Sequence, residues 1–152
     1  MVTVRVPATT ANLGPGFDTL GLALALYNTL TFEEVPEGLF FDGVEPEYAT
    51  EENLAVIAYK AVLSKLGLPM SGLRVSISGD IPICRGLGSS AALIAAGAAG
   101  ANANHGSPLS REELLAVCNA IEGHPDNLAP AIFGGLVASF VENGRPYIAR
   151  YS

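Results

Sequence analysis

Pro82-Ile-Cys-Arg-Gly-Leu-Gly-Ser-Ser-Ala-Ala92 joins a glycine-rich loop to an Ala-rich run without punctuation between them. The run predicts a helix from Ser89 to about Asn104, and the free N–H groups of its first turn add to the positive end of its dipole at Gly86 to Ala91. Gly86 and Gly88 lack a Cβ, so the backbone there can take left-handed angles and approach an anion closely. Ser89 and Ser90 supply two hydroxyls, one suited to capping the helix and the other to reaching a phosphate or a metal ion. Read singly, the stretch fits either a phosphate cradle or a plain loop whose serines cap a helix. The G-x-G-x-x-G dinucleotide pattern fails, because Ala91 replaces the third glycine and no acidic residue follows about twenty positions on. A Walker A motif also fails, since the chain contains no Gly-Lys pair.

Outward from this stretch, the bulk numbers narrow the field. The chain has 152 residues, 49% hydrophobic and 15% charged, which describes one folded domain with a large apolar interior. A net charge of −7, with the eight Lys and Arg scattered, argues against a nucleic-acid surface. Any phosphate site must then rest on local N–H groups and a metal ion. Cys84 and Cys118 have neither metal-ligand nor disulfide-framework spacing, so reduced thiols in a cytoplasmic protein are expected. The N-terminus lacks a basic region and Asp18 interrupts it, so no signal peptide is expected; Ala91 to Ala103 is too short and too rich in Ala and Gly to span a bilayer.

Along the chain, Val2, Val4 and Val6 alternate with Thr3 and Arg5 as a first strand that Pro7 is expected to end. Ala8 to Asp18 reads as a loop around Gly14-Pro-Gly16. Leu20 to Leu26 alternates as a second strand, and Tyr27 to Val35 reads as another. Glu33 to Glu52 carries eight acidic residues and no basic one, broken by Pro36, Gly38, Gly43 and Pro46; it reads as a solvated acidic hairpin or loop without chemistry. A helix is predicted from Asn53 to Leu66, closed by Gly67, and a strand over Leu73 to Ser78. Ser110-Arg-Glu-Glu113 is a capping box that opens a helix with Leu114, Val117, Cys118 and Ile121 on one side, which makes Cys118 a core residue.

That helix ends at Glu122-Gly123, where a carboxylate meets the negative helix end at a cost of roughly 0.3–1 kcal/mol. A bound cation reverses the sign, so Glu122 is a candidate metal ligand, although an exposed helix-end Glu is also commonplace. His124-Pro-Asp-Asn127 leads into a short helical run to Phe133 and a Gly134-Gly135 turn. Leu136 to Val141 and Tyr147 to Tyr151 flank Glu142-Asn-Gly-Arg145 as a hairpin, and the chain, ending at Ser152 close behind a strand, is expected to be part of a longer protein. Strands with interspersed helices give an α/β or α+β layer fold.

These segments share one chemical logic. Gly86 to Ser90 can hold a triphosphate, Ser90 and Glu122 a Mg²⁺, and Asp126 or Asn127 can address a nucleophilic hydroxyl, a phosphoryl-transfer layout. The chain also resembles the GHMP kinases, whose hallmark P-x-x-x-G-L-G-S-S-A-A is present without gaps from Pro82 to Ala92. Within that superfamily it is similar to the homoserine kinase family, through Pro7-Ala-Thr-Thr-Ala-Asn-Leu-Gly-Pro-Gly-Phe-Asp18 and Glu122-Gly-His-Pro-Asp-Asn-Leu-Ala-Pro-Ala-Ile-Phe-Gly-Gly135.

The resemblance implies an α+β fold of the ribosomal protein S5 domain 2 type, a mixed sheet with helices packed on one side, forming residues 1–152 into the family's N-terminal, ATP- and Mg²⁺-binding domain. It implies ATP as phosphoryl donor, L-homoserine as acceptor, and no nucleic-acid or membrane partner; a homodimer is compatible with it. By the same resemblance Pro82, Arg85, Gly86, Leu87, Gly88, Ser89, Ser90 and Ala91 wrap the ATP phosphates, Asn53 stands beside the nucleoside, and Ser90 and Glu122 ligate Mg²⁺. Asn12, Asp18 and His124 address the acceptor, and Asn127 and Asp126 stand at the catalytic position. Taken singly, Asn12 and Asp18 also fit turn and capping roles, His124 fits a surface turn, and no true base is assigned to Asp126. Family members are about twice this length, and their second half carries a further glycine-rich loop and arginines for the acceptor carboxylate. The chain is therefore expected to hold part of an active site and to turn over poorly alone. The alternatives are another GHMP kinase, a silent nucleotide-binding module and a plain assembly domain.

Overall fold

The computed structural model describes residues 1–15 and 19–151. Six strands form one mixed sheet: β1 (Val2–Ala11), β2 (Leu20–Val35), β3 (Leu39–Asp42), β4 (Gly72–Gly79), β5 (Leu136–Glu142) and β6 (Arg145–Tyr151). Four helices accompany it: α1 (Leu54–Leu66), α2 (Ser89–Asn104), α3 (Arg111–Glu122) and α4 (Leu128–Phe133). The sheet runs β3-β4-β2-β5-β6 with β1 also paired to β2; only β3–β4 is parallel.

The two strands expected over Leu20 to Val35 are one, and this long β2 organises the sheet. Residues 28–35 pair with β4 and residues 20–22 with β5, while β1 runs along its other side. Pro7 does not end β1. It pairs with Tyr27 inside the strand, at a register shift between Pro7 and Thr9. The sheet tolerates it because β1 pairs with β2 alone, and a missing N–H at an edge or bulge breaks no essential bond.

The period-2 pattern of β2 decides its faces. Leu30 and Phe32 are fully buried, with Val6, Ala8, Leu73 and Val75 on the same inner layer. The outer layer is polar: Thr3 and Thr31 hydroxyls meet at 3.1 Å, Arg74 pairs with Glu33 at 3.1 Å, and the Arg5 guanidinium lies 3.6 Å over the Tyr27 ring. The helices cover the inner face.

α2 is the buried centre of that helical layer, touching α1, α3, α4, β1 and β2. Its Ala and Gly content is what allows this, since a helix apolar on every side packs on every side. A Cβ on Gly97 would fall 2.1 Å from the Ala55 carbonyl oxygen, and one on Gly100 would fall 2.4 Å from the Phe32 ring. Bulkier residues would push α2 off both neighbours.

The locally encoded ends are where the sequence puts them. Ser110 and Glu113 form both halves of the capping box, Gly67 closes α1 in the left-handed region at φ 70°, and the Asn143-Gly144 turn has φ of 51° and 75°, as a two-residue hairpin loop requires. The acidic stretch is not free loop. It contributes β3 and a 3-10 turn at Pro46–Tyr48, and Glu34 accepts a 2.8 Å bond from the buried Tyr59 hydroxyl.

Candidate functional site

A cleft of about 850 Å³ opens between the end of β4, the glycine-rich loop, the first turn of α2 and the segment from Gly43 to Leu54. The loop that forms one wall has left-handed residues at Cys84 (φ 58°), Gly86 (φ 70°) and Gly88 (φ 68°). It is anchored at both ends: Ile81 N–H donates to Asn28 Oδ1 at 3.1 Å, and Thr9 N–H donates to Leu87 O at 3.0 Å.

Gly88 itself is the N-cap of α2, and no side chain caps this helix. The expectation that one serine caps it is therefore corrected. With Gly88 in the cap position, Ser89 and Ser90 are already helical, and their hydroxyls lie past the point from which a cap is made. The first-turn N–H groups of Ser89, Ser90 and Ala91 have no acceptor within the helix, and all three residues line the cleft. Such a set of open N–H groups is suited to an anion.

Ser90 Oγ donates instead to Glu122 Oε2 at 3.0 Å, across to the last residue of α3. No basic residue lies in the last turn of α3, and no cation pairs with Glu122 among the described residues. A carboxylate at a negative helix end, beside a hydroxyl oxygen, suits a hard divalent cation. Among the described residues no cluster of three or more His, Cys, Asp or Glu exists. Two protein oxygens alone suit Mg²⁺, which keeps waters and takes its remaining ligands from bound phosphates.

The segment after α3 turns back under the same cleft. Asp126 is 2% exposed; its Oδ1 lies 2.7 Å from His124 Nδ1 and accepts from Asn127 N–H at 3.0 Å. Asn127 lines the cleft, and its Oδ1 accepts a 2.8 Å bond from Thr9 Oγ1. A Cβ on Gly21 would fall 1.9 Å from the Asp126 carbonyl oxygen, so β2 begins directly against this turn. Gly21 pairs with Ala11, which brings Asn12 (φ 58°) to the same end of the sheet.

The structure thus brings Arg85, Gly86, Gly88, Ser89, Ser90, Ala91, Glu122, Asn53 and Asn127 to one cleft. Pro82 and Leu87 are half-buried outside its lining, Leu87 holding the loop to β1 through its carbonyl. Asp126 is behind Asn127 rather than in the wall, and His124 and Asn12 lie beside the cleft rather than in it. Asp18 lies outside the described residues. Asn53 spends both polar atoms inside the protein: Oδ1 caps α1 through Ala55 N–H at 3.0 Å, and Nδ2 donates to Tyr48 O at 3.0 Å. What it gives the cleft is a fixed wall.

Sequence reasoning missed Thr9, Asn28 and the Gly43 to Thr50 segment, whose Val44 and Tyr48 line the cleft. Thr9 lay inside the quoted Pro7 to Asp18 motif without a role. Asn28, polar and buried within a strand, was the one local signal available for the loop anchor.

The two cysteines offer a check on the cleft. Cys118 is fully buried, and burial pushes its thiol up to about 12, so it stays protonated and inert at neutral pH. Cys84 is exposed and lines the cleft. Iodoacetamide should therefore label one thiol in the folded protein and both in denaturant, and Mg-ATP should slow labelling of Cys84. Equal rates with and without nucleotide would take the loop out of the binding site.

The family model described as GHMP kinases N terminal domain matches residues 53–135, and the chain belongs to that family. Its relatives point to one branch. The homoserine kinase of Clostridium beijerinckii is 49% identical over 148 residues, covering 97% of this chain and 50% of that protein. That of Clostridium botulinum (strain Loch Maree) is 49% identical over 143 residues, covering 94% and 48%. A putative homoserine kinase from Listeria monocytogenes superposes with a TM-score of 0.84 at 39% identity, over 98% of this chain and 53% of that one. The mevalonate kinase of Methanococcus jannaschii, at TM-score 0.75 and 17% identity over 99% and 56%, shares the fold. The chain spans about half the length of the curated relatives it matches. Among the described residues no helix is long and apolar enough to cross a membrane.

Proposed function

We propose that residues 1–152 are the N-terminal, ATP- and Mg²⁺-binding domain of a homoserine kinase, which transfers the γ-phosphoryl group of ATP to the side-chain hydroxyl of L-homoserine. The observation that carries this is the Ser90–Glu122 pair facing the uncapped start of α2 in the cleft that Asn127 also lines. Backbone N–H groups from Gly86 to Ala91 bind the phosphates, and Arg85, exposed at the rim, adds a cation in a cleft otherwise edged by Glu45, Glu47 and Glu52. Pro82 and Leu87 shape the loop from outside, and Asn53 with Tyr48 bounds the nucleoside end.

Ser90 and Glu122 would hold a Mg²⁺ ion, which when bound would supply charge neutralisation for the transferring phosphate. The acceptor hydroxyl oxygen forms a bond to the γ-phosphorus as the bond from that phosphorus to the β-phosphate oxygen breaks, and ADP leaves. Asn12, Asp18 and His124 orient the acceptor. Asp126 holds His124 and the Asn127 backbone through its buried Oδ1 and stands behind Asn127, so it positions this turn and is not assigned as a base. A loose, metaphosphate-like transition state releases the hydroxyl proton late, onto an oxygen of the transferred phosphate and from there to water, so positioning suffices. The setting is cytoplasmic, with two free cysteines and ATP as co-substrate.

The test is ADP release by the full-length polypeptide containing this chain, with Mg-ATP and L-homoserine, mevalonate or galactose at equal concentration. Release with homoserine alone is expected, and little from the 152-residue domain by itself. Release with another acceptor, or none from a folded full-length protein, overturns the proposal.

A further inference from the structure

Thr9 lies toward the end of β1 and is fully buried, yet it joins the glycine-rich loop to the turn after α3. Its backbone N–H holds the glycine-rich loop at Leu87 O, 3.0 Å away, and its hydroxyl donates to Asn127 Oδ1 at 2.8 Å. A Cβ on Gly88 would fall 2.1 Å from Thr9 Oγ1. The loop therefore packs directly on the hydroxyl and shields it from water.

We infer that Thr9 is a positioning residue that fixes the Asn127 side-chain amide with its nitrogen toward the cleft, so that Asn127 meets the transferring phosphoryl group as a hydrogen-bond donor. The inference rests on the phosphoryl-transfer reading above for what Asn127 addresses, and on hydrogen bonding alone for how Asn127 is held.

A hydroxyl can also accept, but the Thr9 side chain is fully buried and its proton has no other acceptor among the described residues. An amide turned over would strand that proton, which leaves one orientation. Asn127 N–H is bonded to Asp126 Oδ1 at 3.0 Å, which fixes the backbone of the residue from one side. The Thr9 hydroxyl takes the carbonyl corner of its amide from the other. A planar amide then has one corner left for the cleft, Nδ2 with its two donors. Turned over, the amide would face its oxygen toward phosphate oxygens, lone pair against lone pair, in a cleft where Arg85 is outnumbered by Glu45, Glu47, Glu52 and Glu122. Thr9 keeps the positive end of that dipole pointing at the charge it has to stabilise.

Because the loop is held by the Thr9 backbone and Asn127 by its hydroxyl, one substitution separates the two. In the full-length polypeptide, Thr9→Val keeps the shape and the backbone bond and removes the donor, while Thr9→Ser restores it. Thr9→Val should lower kcat by roughly a hundredfold, the cost of a misplaced polar group, with the Kd for Mg-ATP unchanged. Thr9→Ser should recover most of the rate. In ¹H–¹⁵N spectra the Asn127 side-chain NH₂ pair, assigned by its loss in Asn127→Asp, should shift and broaden in Thr9→Val and return in Thr9→Ser.

Wild-type kcat in Thr9→Val, an equal loss in Thr9→Ser, or an unmoved Asn127 NH₂ pair each overturns the inference. Should Thr9→Val fail to fold, Asn127→Asp decides: it retains the acceptor for Thr9 but turns an anionic oxygen to the cleft, so undiminished turnover overturns the donor role and abolished turnover with a native melting curve supports it. If the wild type has no acceptor-dependent turnover, the phosphoryl-transfer reading fails, while the NH₂ pair still decides how Asn127 is held.

Discussion

Exchanging Glu122 for glutamine should lower kcat by roughly 10²–10³-fold in the full-length polypeptide while leaving its melting temperature unchanged or slightly raised. Glutamine matches glutamate in shape and can still accept from Ser90 Oγ, now 3.0 Å from Glu122 Oε2. What it loses is the negative charge on which the proposed cation site rests. On stability the sign is opposite. Glu122 is the last residue of α3, with no basic residue in the last turn, so without a cation its charge opposes the helix dipole by roughly 0.3–1 kcal/mol. Activity that falls as stability holds or rises is the mark of a group placed for a ligand rather than for the fold. Steady-state rates against Mg²⁺ concentration, beside a thermal melt, check both halves; a mutant with wild-type kcat and an unchanged Mg²⁺ dependence would show that Glu122 serves no cation.

Gly88→Ala should cost both stability and nucleotide affinity, and Gly86→Ala much less of each. The two glycines have nearly the same left-handed backbone, φ 68° and 70°. Both substitutions therefore carry the strain of an L-residue in that region, about 1–2 kcal/mol. They differ in what the new methyl meets. At Gly86 there is nothing within 4 Å, whereas at Gly88 the Cβ would fall 2.1 Å from Thr9 Oγ1 and 3.3 Å from Asn127 Oδ1. Thr9 is fully buried and cannot step aside, so the loop itself has to move, and with it the N–H groups that start α2. A displacement worth about 1.4 kcal/mol of binding weakens nucleotide affinity tenfold, and Gly88→Ala should lose at least that. Parallel ATP titrations of the two variants give the answer, and equal affinities would mean that the Thr9–Asn127 side of the loop does not set its shape.

Much of this site was legible because its signals are local. A glycine-rich loop running into a helix, a capping box at Ser110 and a glycine after Glu122 each declare themselves within a few residues, since caps, turns and helix ends are hydrogen bonds between near neighbours. The glycine-rich approach to α2 was readable in this way, whereas the closeness of Ser90 and Glu122, 32 positions apart, came from the motif's likeness to a known family. Pro7 misled because its meaning depends on whether the strand has a neighbour on its N–H side, and only the assembled sheet answers that. The acidic stretch from Glu33 to Glu52 misled for a similar reason: its charge pattern describes a solvated loop, and nothing in it says that Val44 and Tyr48 will close a cleft against the loop at Cys84 to Gly88.

By itself, then, the sequence determined the helix boundaries and the glycine-rich approach to α2, because each is set by backbone preference or by side chains a few positions apart. The tertiary structure alone decided which polar atoms face the cleft and which are spent inside the protein. Asn53 and Asn127 are the same residue type at the same cleft, yet Asn53 is consumed by Ala55 and Tyr48, five residues away at most, whereas Asn127 is turned outward by Thr9, 118 positions earlier in the chain. An amide takes the orientation its nearest fixed partner imposes, and for Asn127 that partner exists only once β1, the glycine-rich loop and the turn after α3 have packed together.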